Sequence, residues 1–313
     1  MNLKSLVINP GSTSTKIAIF SDNQLVKQQT LRHNHQDLAH YPKIYDQKEY
    51  RKKIILAFLA EENITLDSFD FFVGRGGLLK PLYQSGTYLI EEAMVEDLKQ
   101  EKYGAHASNL GTILAYEFAK ATKKQAYLVD PVVVDELEEI ARVSGLKEIK
   151  RKSIFHALNQ KAVAKRHAKL SGKEYNQMTM IVTHLGGGIS VGLHHMGRVV
   201  DVNDALGGTG PFSPQRVGTL PTNQLLRLIE SKKYSHDQLQ KMFVGHGGLM
   251  SYLGTDDGEA IKERIESGDR EAKLVMDAMA YQIAKEIGSL YFIAPRKVDA
   301  ILITGGLAYN QYL

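Results

Sequence analysis

The chain has 313 residues, of which 43% are hydrophobic and 24% are charged, and its formal net charge is +4 at pH 7. These values describe an ordinary globular protein that is long enough for two domains. The absence of cysteine excludes disulfides, thiolate metal sites and cysteine nucleophiles, and it fits a reducing compartment. The N-terminus lacks the features of a signal peptide, and no stretch approaches about 18 uninterrupted apolar residues. We therefore expect a cytoplasmic protein that makes no membrane contact.

Two short basic clusters, RKK at 51–53 and KRK at 150–152, lack interleaved aromatic residues. We predict that both lie on solvated faces, most simply of helices, and that nucleic acid is not a partner. His33, His35 and His40 lie in a polar stretch that lacks a metal-ligand pattern, and we assign them no role.

The chain opens with SLVINPGSTSTKIAIF at 5–20, in which two apolar runs flank a turn containing Pro10 and Gly11. This pattern predicts a β-hairpin with a polar tip. The hydroxyl groups of the tip could simply satisfy backbone groups. Alternatively, the tip could bind a phosphate through exposed N–H groups, hydroxyl donors and the nearby Lys16. It is not a Walker A loop, because the glycine-lysine spacing is missing and a strand follows instead of a helix.

The run QLVKQQTL at 24–31 predicts a third strand, so the chain opens with an antiparallel meander. Asp46 and Glu49 predict a capping box at the start of a helix in which Tyr50, Ile54 and Phe58 share a face. Three elements follow in order: a strand at FDFFVG (69–74), a helix at HASNLGTILAYEFAKAT (106–122) and a strand at QAYLVD (125–130). This alternation favours an α/β sheet.

The polar segment SGLKEIKRKS at 144–153 predicts a domain junction, which gives domains at 1–150 and 151–313. The second half then repeats the opening pattern of strands and turns in MTMIVTHLGGGISVGLHHMGRVV at 178–200. Residues 274–291 carry apolar side chains at every fourth position, which predicts an amphipathic core helix and not a membrane span. A buried strand in VDAILITGGLAYN, at 298–310, is expected to end at the glycine pair.

Three apolar strands thus end in small-residue turns, and two of these turns belong to similar hairpins. We infer a duplicated α/β fold with a nucleotide between its halves, because glycines let backbone N–H groups approach phosphates. A dinucleotide fold is disfavoured, since the glycines at 186, 188 and 192 miss the G-x-G-x-x-G spacing by one residue. The adjacent His194 and His195 point to opposite faces of a strand and cannot jointly hold one ion.

Several motifs, in order, resemble the acetate and butyrate kinases of the sugar kinase, Hsp70 and actin superfamily. VINPGSTSTKIAIF resembles their first phosphate hairpin, VTHLGGGISVG the second, and ILITGGLAYN their adenosine-binding turn. GRGGLLKP, GAHASNLG and DVNDALGGTGPFSPQRVGTLP look more like the butyrate and branched-chain fatty acid kinases than the acetate kinases. The match covers essentially the whole chain. It implies a duplicated two-domain actin-like ATPase fold with ribonuclease H-like halves and the nucleotide in the interdomain cleft.

The resemblance also implies roles for matching residues. Arg75 and Arg216 resemble the arginines that clamp the acyl carboxylate and the transferring phosphoryl group, Asp130 the active-site carboxylate, and His156 the histidine that stabilises the transition state. Asn9 resembles the residue that helps to hold Mg²⁺. The phosphate and nucleotide positions are Ser12, Ser14, Lys16, His184, Gly186, Gly187, Gly188, Gly306 and Asn310. The predicted acid pocket comprises Gly77, Ala105, His106 and Phe155.

These residues also have structural interpretations. The two arginines could lie on the surface, and His106, His156 and His184 could be satisfied core histidines. The chain departs from the family at Thr209, where an acidic residue is expected, and at Leu313, where the family continues into a further C-terminal segment. We therefore expect that segment to be absent.

The resemblance implies reversible transfer of the γ-phosphoryl group of ATP, with Mg²⁺, to a short-chain fatty acid, giving an acyl phosphate. Gly77 and Ala105 stand where the acetate kinases tend to carry bulkier apolar residues, with Phe155 as the expected wall, so the resemblance implies a roomier pocket and favours butyrate or isobutyrate. The alternatives are an acetate or propionate kinase, a kinase for another small acid, an exopolyphosphatase-type phosphatase, or a nucleotide-gated ATPase scaffold. The resemblance further implies a homo-oligomer, a dimer or larger.

Overall fold

The computed structural model describes residues 2–313, except for the side chain of His35. The chain forms two compact units, Met1–Val133 and Val134–Leu313. This division lies before the predicted junction at 144–153, which belongs to the second unit and folds back through an antiparallel bridge between Val143 and Lys150. The assignment of two actin-like ATPase domains at 1–150 and 151–313 stays a prediction.

The first unit is built on a six-stranded sheet in the order β3-β2-β1-β4-β6-β5. Its strands are β1 (Lys4–Pro10), β2 (Ser14–Ser21), β3 (Gln24–Arg32), β4 (Phe71–Gly74), β5 (Thr87–Leu89) and β6 (Gln125–Val129). Its helices are α1 (His35–Ala39), α2 (Lys48–Glu61), α3 (Glu92–Lys99) and α4 (Asn109–Thr122). Strands β1, β2 and β3 pair antiparallel, while β4 joins β1 and β6 in parallel. The predicted opening meander and the α/β class are therefore confirmed.

The helix α4 packs closely on the end of β4 because two glycines leave room for the main chain. A Cβ atom added to Gly74 would lie 2.6 Å from the carbonyl carbon of Gly111, and one added to Gly111 would lie 2.7 Å from the carbonyl oxygen of Arg75. Both contacts are shorter than packed carbon and oxygen atoms allow. This approach of helix to strand fixes the main chain at Arg75.

Two predictions about α2 are wrong: that Asp46 and Glu49 form a capping box at its start, and that Arg51 is solvated. The helix begins after a 3₁₀ turn at Tyr45–Gln47, and its N-cap Gln47 makes no side-chain capping bond within residues 2–313. Asp46 instead accepts the backbone N–H of Lys43 at 3.1 Å. Arg51, predicted to be solvated, is 0% exposed.

The second unit is built on a four-stranded sheet in the order β10-β7-β8-β9. Its strands are β7 (Thr179–Leu185), β8 (Ile189–His195), β9 (Arg198–Val202) and β10 (Ala300–Thr304). Its helices are α5 (Glu139–Arg142), α6 (Ala157–Leu170), α7 (Thr222–Glu230), α8 (His236–Phe243), α9 (Leu249–Leu253), α10 (Gly258–Glu266) and α11 (Arg270–Ile293). Strands β7, β8 and β9 form the second predicted antiparallel meander, and β10 joins β7 in parallel.

Alternate side chains of β7 point to opposite faces of the second sheet and pack in two different core clusters. Ile181 and Leu185 of β7 pack with α11, whereas Met180 and Val182 pack with α6. The predicted core helix at 274–291 is confirmed as part of α11, and no helix in the described part of the chain is long and apolar enough to cross a membrane.

The prediction that β10 is buried is wrong. It is an edge strand of the four-stranded sheet, paired with β7. Ile301 and Ile303, which share a face, are 47% and 57% exposed.

Candidate active site

The tip of the first hairpin is a short turn between β1 and β2. The backbone N–H of Gly11 donates to the carbonyl oxygen of Ser14 at 2.7 Å and closes the turn. The side chains of Ser12 and Lys16 are exposed, and Ser14 is half-buried. The turn therefore presents the hydroxyl and ammonium groups that a phosphate-binding tip requires.

Arg51 supports this turn from the interior of the first unit, and sequence reasoning missed it. Its Nη1 donates to the carbonyl oxygens of Gly11 at 2.9 Å and Ser14 at 3.1 Å, and its Nη2 donates to that of Ser12 at 3.1 Å. In a trans peptide the N–H points opposite to the C=O. The N–H groups of Ser12 and Thr13 therefore point away from Arg51, as the binding of an anion at the tip would require.

A second layer of contacts holds Arg51 itself. Its Nε and Nη2 donate to Oε1 of Gln47 at 3.1 and 2.8 Å, and its Nη1 donates to Oγ1 of Thr15 at 3.0 Å. Thr15 Oγ1 also lies 2.8 Å from Nε2 of His33. Burial lowers the pKa of Arg51 to about 10, so the guanidinium keeps its charge at neutral pH.

Arg75 follows β4 directly and is held at several atoms. Its backbone N–H donates to the carbonyl oxygen of Ile8 at 2.9 Å, and its carbonyl oxygen accepts from Oγ1 of Thr112 at 3.3 Å. Its Nη1 donates to Oδ1 of Asn9 at 3.2 Å. Burial lowers the pKa of Arg75. The structure therefore brings together Arg75, Asn9 and the hairpin tip, which belong to one end of the first sheet.

Asp130 follows β6 and has a left-handed backbone conformation, with φ of 37°, which is uncommon for a residue other than glycine. Its Oδ1 accepts the backbone N–H of Gly86 at 2.7 Å, and its own N–H donates to the carbonyl oxygen of Gly86 at 3.0 Å. The carboxylate is only 3% exposed. These paired bonds fix both the backbone and the carboxylate.

The residues of the predicted acid pocket have different surroundings. A Cβ atom added to Gly77 would lie 2.6 Å from Cα of Asn109, so Asn109 packs directly against this glycine. Ala105 is exposed, and His106 accepts the backbone N–H of Ser108 at its Nδ1 at 3.1 Å. Phe155 is 2% exposed and packs in a core cluster of the second unit. The composition of the acid pocket stays a prediction.

In the second unit, Arg216 lies against the glycine turn between β7 and β8. A Cβ atom added to Gly188 would overlap the guanidinium of Arg216, whose Nη1 donates to the carbonyl oxygen of Ala205. The turn is held by the carbonyl oxygen of Gly187, which accepts from Oγ of Ser213 at 2.7 Å. The absence of a side chain at Gly188 therefore allows an arginine to lie on the turn.

Two histidines stack near the same turn. The rings of His156 and His184 are 3.8 Å apart between centroids, with an angle of 13° between their planes. His156 Nδ1 lies 2.9 Å from Oγ of Ser190, and His184 Nδ1 lies 2.8 Å from Oδ1 of Asn159. Sequence reasoning missed Asn159. It lies three residues after His156 at the start of α6, and residues at this helical spacing lie close together, which is the signal that could have identified it.

The predicted adenosine turn follows β10. Gly305 has φ of 94°, and a Cβ atom there would lie 2.8 Å from the backbone nitrogen of Leu185, so only glycine fits beside β7. A 3₁₀ helix at Gly306–Tyr309 comes next. Asn310 Nδ2 donates to the carbonyl oxygen of Gly258 at 3.3 Å, which links this turn to the start of α10.

Thr209, which departs from the family pattern, has a structural role. Its Oγ1 accepts the backbone N–H of Asp204 at 2.7 Å, and its backbone N–H donates to the carbonyl oxygen of Asp204 at 3.2 Å. Its carbonyl oxygen accepts from Nδ2 of Asn203 at 3.0 Å. The hydroxyl thus closes the loop that precedes Arg216.

Two buried histidines outside these groups predict how stability depends on pH. Burial and the charge of Arg51 lower the pKa of His33 to about 4, and burial and the charge of Lys161 lower that of His194 to about 3. An unfolded histidine titrates near pH 6.5, so below that pH the unfolded chain binds protons that the folded chain does not. The free energy of unfolding should therefore fall from about pH 6.5 to pH 5, by about 1.4 kcal/mol per pH unit for each histidine once the unfolded residue is protonated.

Urea unfolding at a series of pH values from 5 to 7.5 measures this slope. The variant His33→Gln should remove about half of it, because glutamine does not titrate. An unchanged slope in this variant would contradict the assignment to His33.

No group of three or more His, Cys, Asp or Glu side chains within residues 2–313 could hold a metal ion. A magnesium ion commonly binds through substrate phosphates, waters and one or two protein oxygens, so it does not need such a group. Asn9 and Asp130 carry oxygen donors of the required kind. These donors therefore fit an ion that arrives with a nucleotide.

The comparisons with known proteins agree on one family. Residues 140–312 match the model of the acetokinase family. Butyrate kinase 1 of Clostridium acetobutylicum is 51% identical over 308 residues, which are 98% of this chain and 86% of that protein. Butyrate kinase 2 of the same organism is 51% identical over 313 residues, which are 100% of this chain and 88% of that protein.

Solved structures show the same fold. The acetate kinase of Porphyromonas gingivalis superposes with a TM-score of 0.76 and 19% identity, covering 99% of this chain and 84% of that one. A propionate kinase from Francisella tularensis gives a TM-score of 0.76 and 19% identity, covering 99% of this chain and 85% of that one. The predicted fold class, that of the actin-like ATPases, is confirmed. The chain therefore belongs to the acetokinase family.

Proposed function

We propose that the chain transfers the γ-phosphoryl group of ATP to the carboxylate of butyrate, giving butyryl phosphate and ADP, and catalyses the reverse reaction. Two relatives at 51% identity over nearly the whole chain are butyrate kinases, which supports this activity. The observation that carries the proposal is the position of Arg216 on the glycine turn of the second phosphate hairpin, in the unit that also holds the stacked His156 and His184.

The chemistry explains why cations and not a general base are needed. A fatty acid has a pKa close to that of Asp or Glu, about 4, so its carboxylate is already ionised at neutral pH. Its attack on a phosphoryl group is opposed by the repulsion between two anions. A guanidinium stays charged and binds carboxylate or phosphoryl oxygens through two parallel N–H donors. We assign this role to Arg75 and Arg216.

The remaining roles follow from the same chemistry. The tip at Ser12, Ser14 and Lys16, the glycines at 186–188 and the turn at Gly306 and Asn310 would bind the nucleotide. Mg²⁺, held with the nucleotide by Asn9 and by Asp130 or its bound water, would neutralise phosphate charge. Asp130, which is not needed as a base, would orient this water or an arginine. His156 would donate to the phosphoryl group during transfer.

Butyrate is the acid in the names of the two relatives, and isobutyrate is the second candidate. Each methylene buried in a pocket contributes about 0.8 kcal/mol, about a fourfold change in an equilibrium or rate. Butyrate should therefore exceed acetate by about 15-fold in kcat/KM.

The test uses the purified chain with ATP, Mg²⁺ and a panel of acetate, propionate, butyrate and isobutyrate. Acyl phosphate is trapped with hydroxylamine as the acyl hydroxamate and quantified. Hydroxamate formation with butyrate as the best acid supports the proposal, and a clear preference for acetate or propionate reverses the choice of substrate. ATP hydrolysis without hydroxamate from any acid would support the nucleotide-gated scaffold instead.

We also propose that the chain functions in the cytoplasm as a homo-oligomer. The absence of cysteine fits a reducing compartment. Light scattering after size-exclusion chromatography measures the mass of the assembly, and a mass near 34.9 kDa would contradict the oligomer.

A further inference from the structure

A buried chain of hydrogen bonds runs from His156 along the space between α6 and β8. Ser190 Oγ lies 2.9 Å from His156 Nδ1, and Gln160 Nε2 lies 2.8 Å from Ser190 Oγ. His194 Nε2 lies 3.0 Å from Gln160 Oε1, and the hydroxyl of Tyr175 lies 2.8 Å from His194 Nδ1. Ser190, Gln160 and His194 are each 0% exposed.

The amide of Gln160 fixes the direction of this chain. Its Nε2 also lies 2.9 Å from the carbonyl oxygen of Ser190, which can only accept a hydrogen bond. Nε2 is therefore the donating end of the side chain, and Oε1 accepts from His194 Nε2–H. Since burial lowers the pKa of His194 to about 3, this ring is neutral, and its Nδ1 accepts from the hydroxyl of Tyr175.

The hydroxyl of Ser190 continues the chain toward His156, because it accepts from Gln160 and donates to His156. Its oxygen accepts from Gln160 Nε2 and from the backbone N–H of His156, which lies at 3.4 Å. Among its contacts within residues 2–313, only His156 Nδ1 can accept the hydroxyl proton. When the ring of His156 is neutral, it therefore carries its proton on Nε2.

We propose that Ser190 and Gln160 are positioning residues that hold neutral His156 as the Nε2–H tautomer, so that Nε2 is a hydrogen-bond donor for the transferring phosphoryl group. The identity of that acceptor rests on the proposed function, whereas the tautomer rests only on the second unit. His184, stacked at 3.8 Å, fixes the plane of the His156 ring.

The backbone of β8 is adapted to this arrangement. A Cβ atom added to Gly192 would lie 2.5 Å from Gln160 Oε1. Gly192 thus leaves the space in which the amide of Gln160 reaches between Ser190 and His194. The variant Gly192→Ala would displace the amide without removing any polar group of the network.

The tautomer can be measured directly by ¹⁵N NMR on the full chain labelled at histidine nitrogens. The signals of His156 are identified by their loss in the variant His156→Gln. At a pH at which the ring is neutral, we expect a pyridine-like signal for Nδ1 and a pyrrole-like signal for Nε2. The opposite pattern in the wild-type chain would overturn the proposal, whether or not any variant folds.

Variants separate positioning from general structure. Ser190→Ala should shift the His156 ring toward the Nδ1–H tautomer and lower kcat about tenfold, the rate equivalent of one hydrogen bond, with a smaller change in KM. Ser190→Thr keeps the hydroxyl and should restore the wild-type spectrum. Gly192→Ala should shift the tautomer in the same direction as Ser190→Ala, and unchanged spectra in both variants would overturn the role of the network.

The matched control is Thr183→Val on the neighbouring strand β7. The hydroxyl of Thr183 is buried and has no hydrogen-bond partner in the described part of the chain, so its removal should leave the His156 spectrum and kcat unchanged. A shift in this control equal to that of Ser190→Ala would overturn the proposal. The expected tautomer in a chain that forms no acyl phosphate would instead contradict the proposed function and leave the tautomer assignment intact.

Discussion

The variants Arg75→Ala and Arg216→Ala should each lower kcat/KM for butyryl phosphate formation by about 10²- to 10³-fold, as the loss of a transition-state donor usually does. The variant Arg216→Ala should change kcat more than KM, because the guanidinium of Arg216 lies on the turn that we assign to the nucleotide phosphates. The variant Arg75→Ala should raise KM for butyrate as well as lower kcat, since we assign Arg75 in part to binding of the butyrate carboxylate. Steady-state rates over a matrix of ATP and butyrate concentrations measure both effects.

The matched control for this pair is Arg166→Ala, which removes an exposed arginine from α6. It should leave both kinetic constants within about twofold, because exposed charges contribute little. Arg216→Lys keeps the charge but loses the planar fork and should recover only part of the rate. A near-normal rate in either alanine variant would refute the assignment of that arginine.

The variant Arg51→Met should lower the free energy of unfolding by about 3 kcal/mol or more and weaken ATP binding. Methionine fills similar space but removes the donor of the carbonyl oxygens of Gly11 and Ser12 and of Gln47 Oε1, whereas the carbonyl oxygen of Ser14 keeps the N–H of Gly11. Each polar group that burial leaves unsatisfied costs about 1–3 kcal/mol. The turn should then lose the orientation of the N–H groups that we assign to phosphate. Urea unfolding and titration of ATP measure the two effects separately.

Lys53→Ala is the matched control for Arg51, since Lys53 lies on the same helix and is exposed. It should change the free energy of unfolding by less than about 0.5 kcal/mol. If Arg51→Met lost stability but bound ATP as the wild type does, Arg51 would be a core residue that does not support the phosphate turn.

Local patterns predicted much of the fold. The apolar runs at 5–20, 24–31 and 178–200 identified both meanders, because strand pairs joined by tight turns are determined by neighbouring residues. Apolar residues at every fourth position of 274–291 identified α11, because the apolar face of a helix is also set by residues close in sequence. The ordered motifs singled out Arg75, Asn9, Arg216 and the glycines at 186–188; the structure adds that Arg75 contacts Asn9 and that Arg216 contacts Gly188, while their roles stay predictions.

The failures have a common physical cause, which is that burial depends on partners distant in sequence. Arg51 lies in a basic triplet, yet it is buried, because its guanidinium donates hydrogen bonds to carbonyl oxygens of the turn at 11–14 instead of to water. Ile301 and Ile303 form an apolar strand pattern, yet the order of the sheet leaves their strand at an edge.

The order of the second sheet has a consequence for biosynthesis. The strands β7, β8 and β9 follow one another closely and can pair through local contacts as soon as they leave the ribosome, whereas β10 must return across the whole segment between Leu185 and Ala300. Until Ala300–Thr304 has been synthesised, the outer edge of β7 has unpaired backbone groups. The nascent chain therefore passes through a stage in which that edge can pair with a chaperone or with another chain.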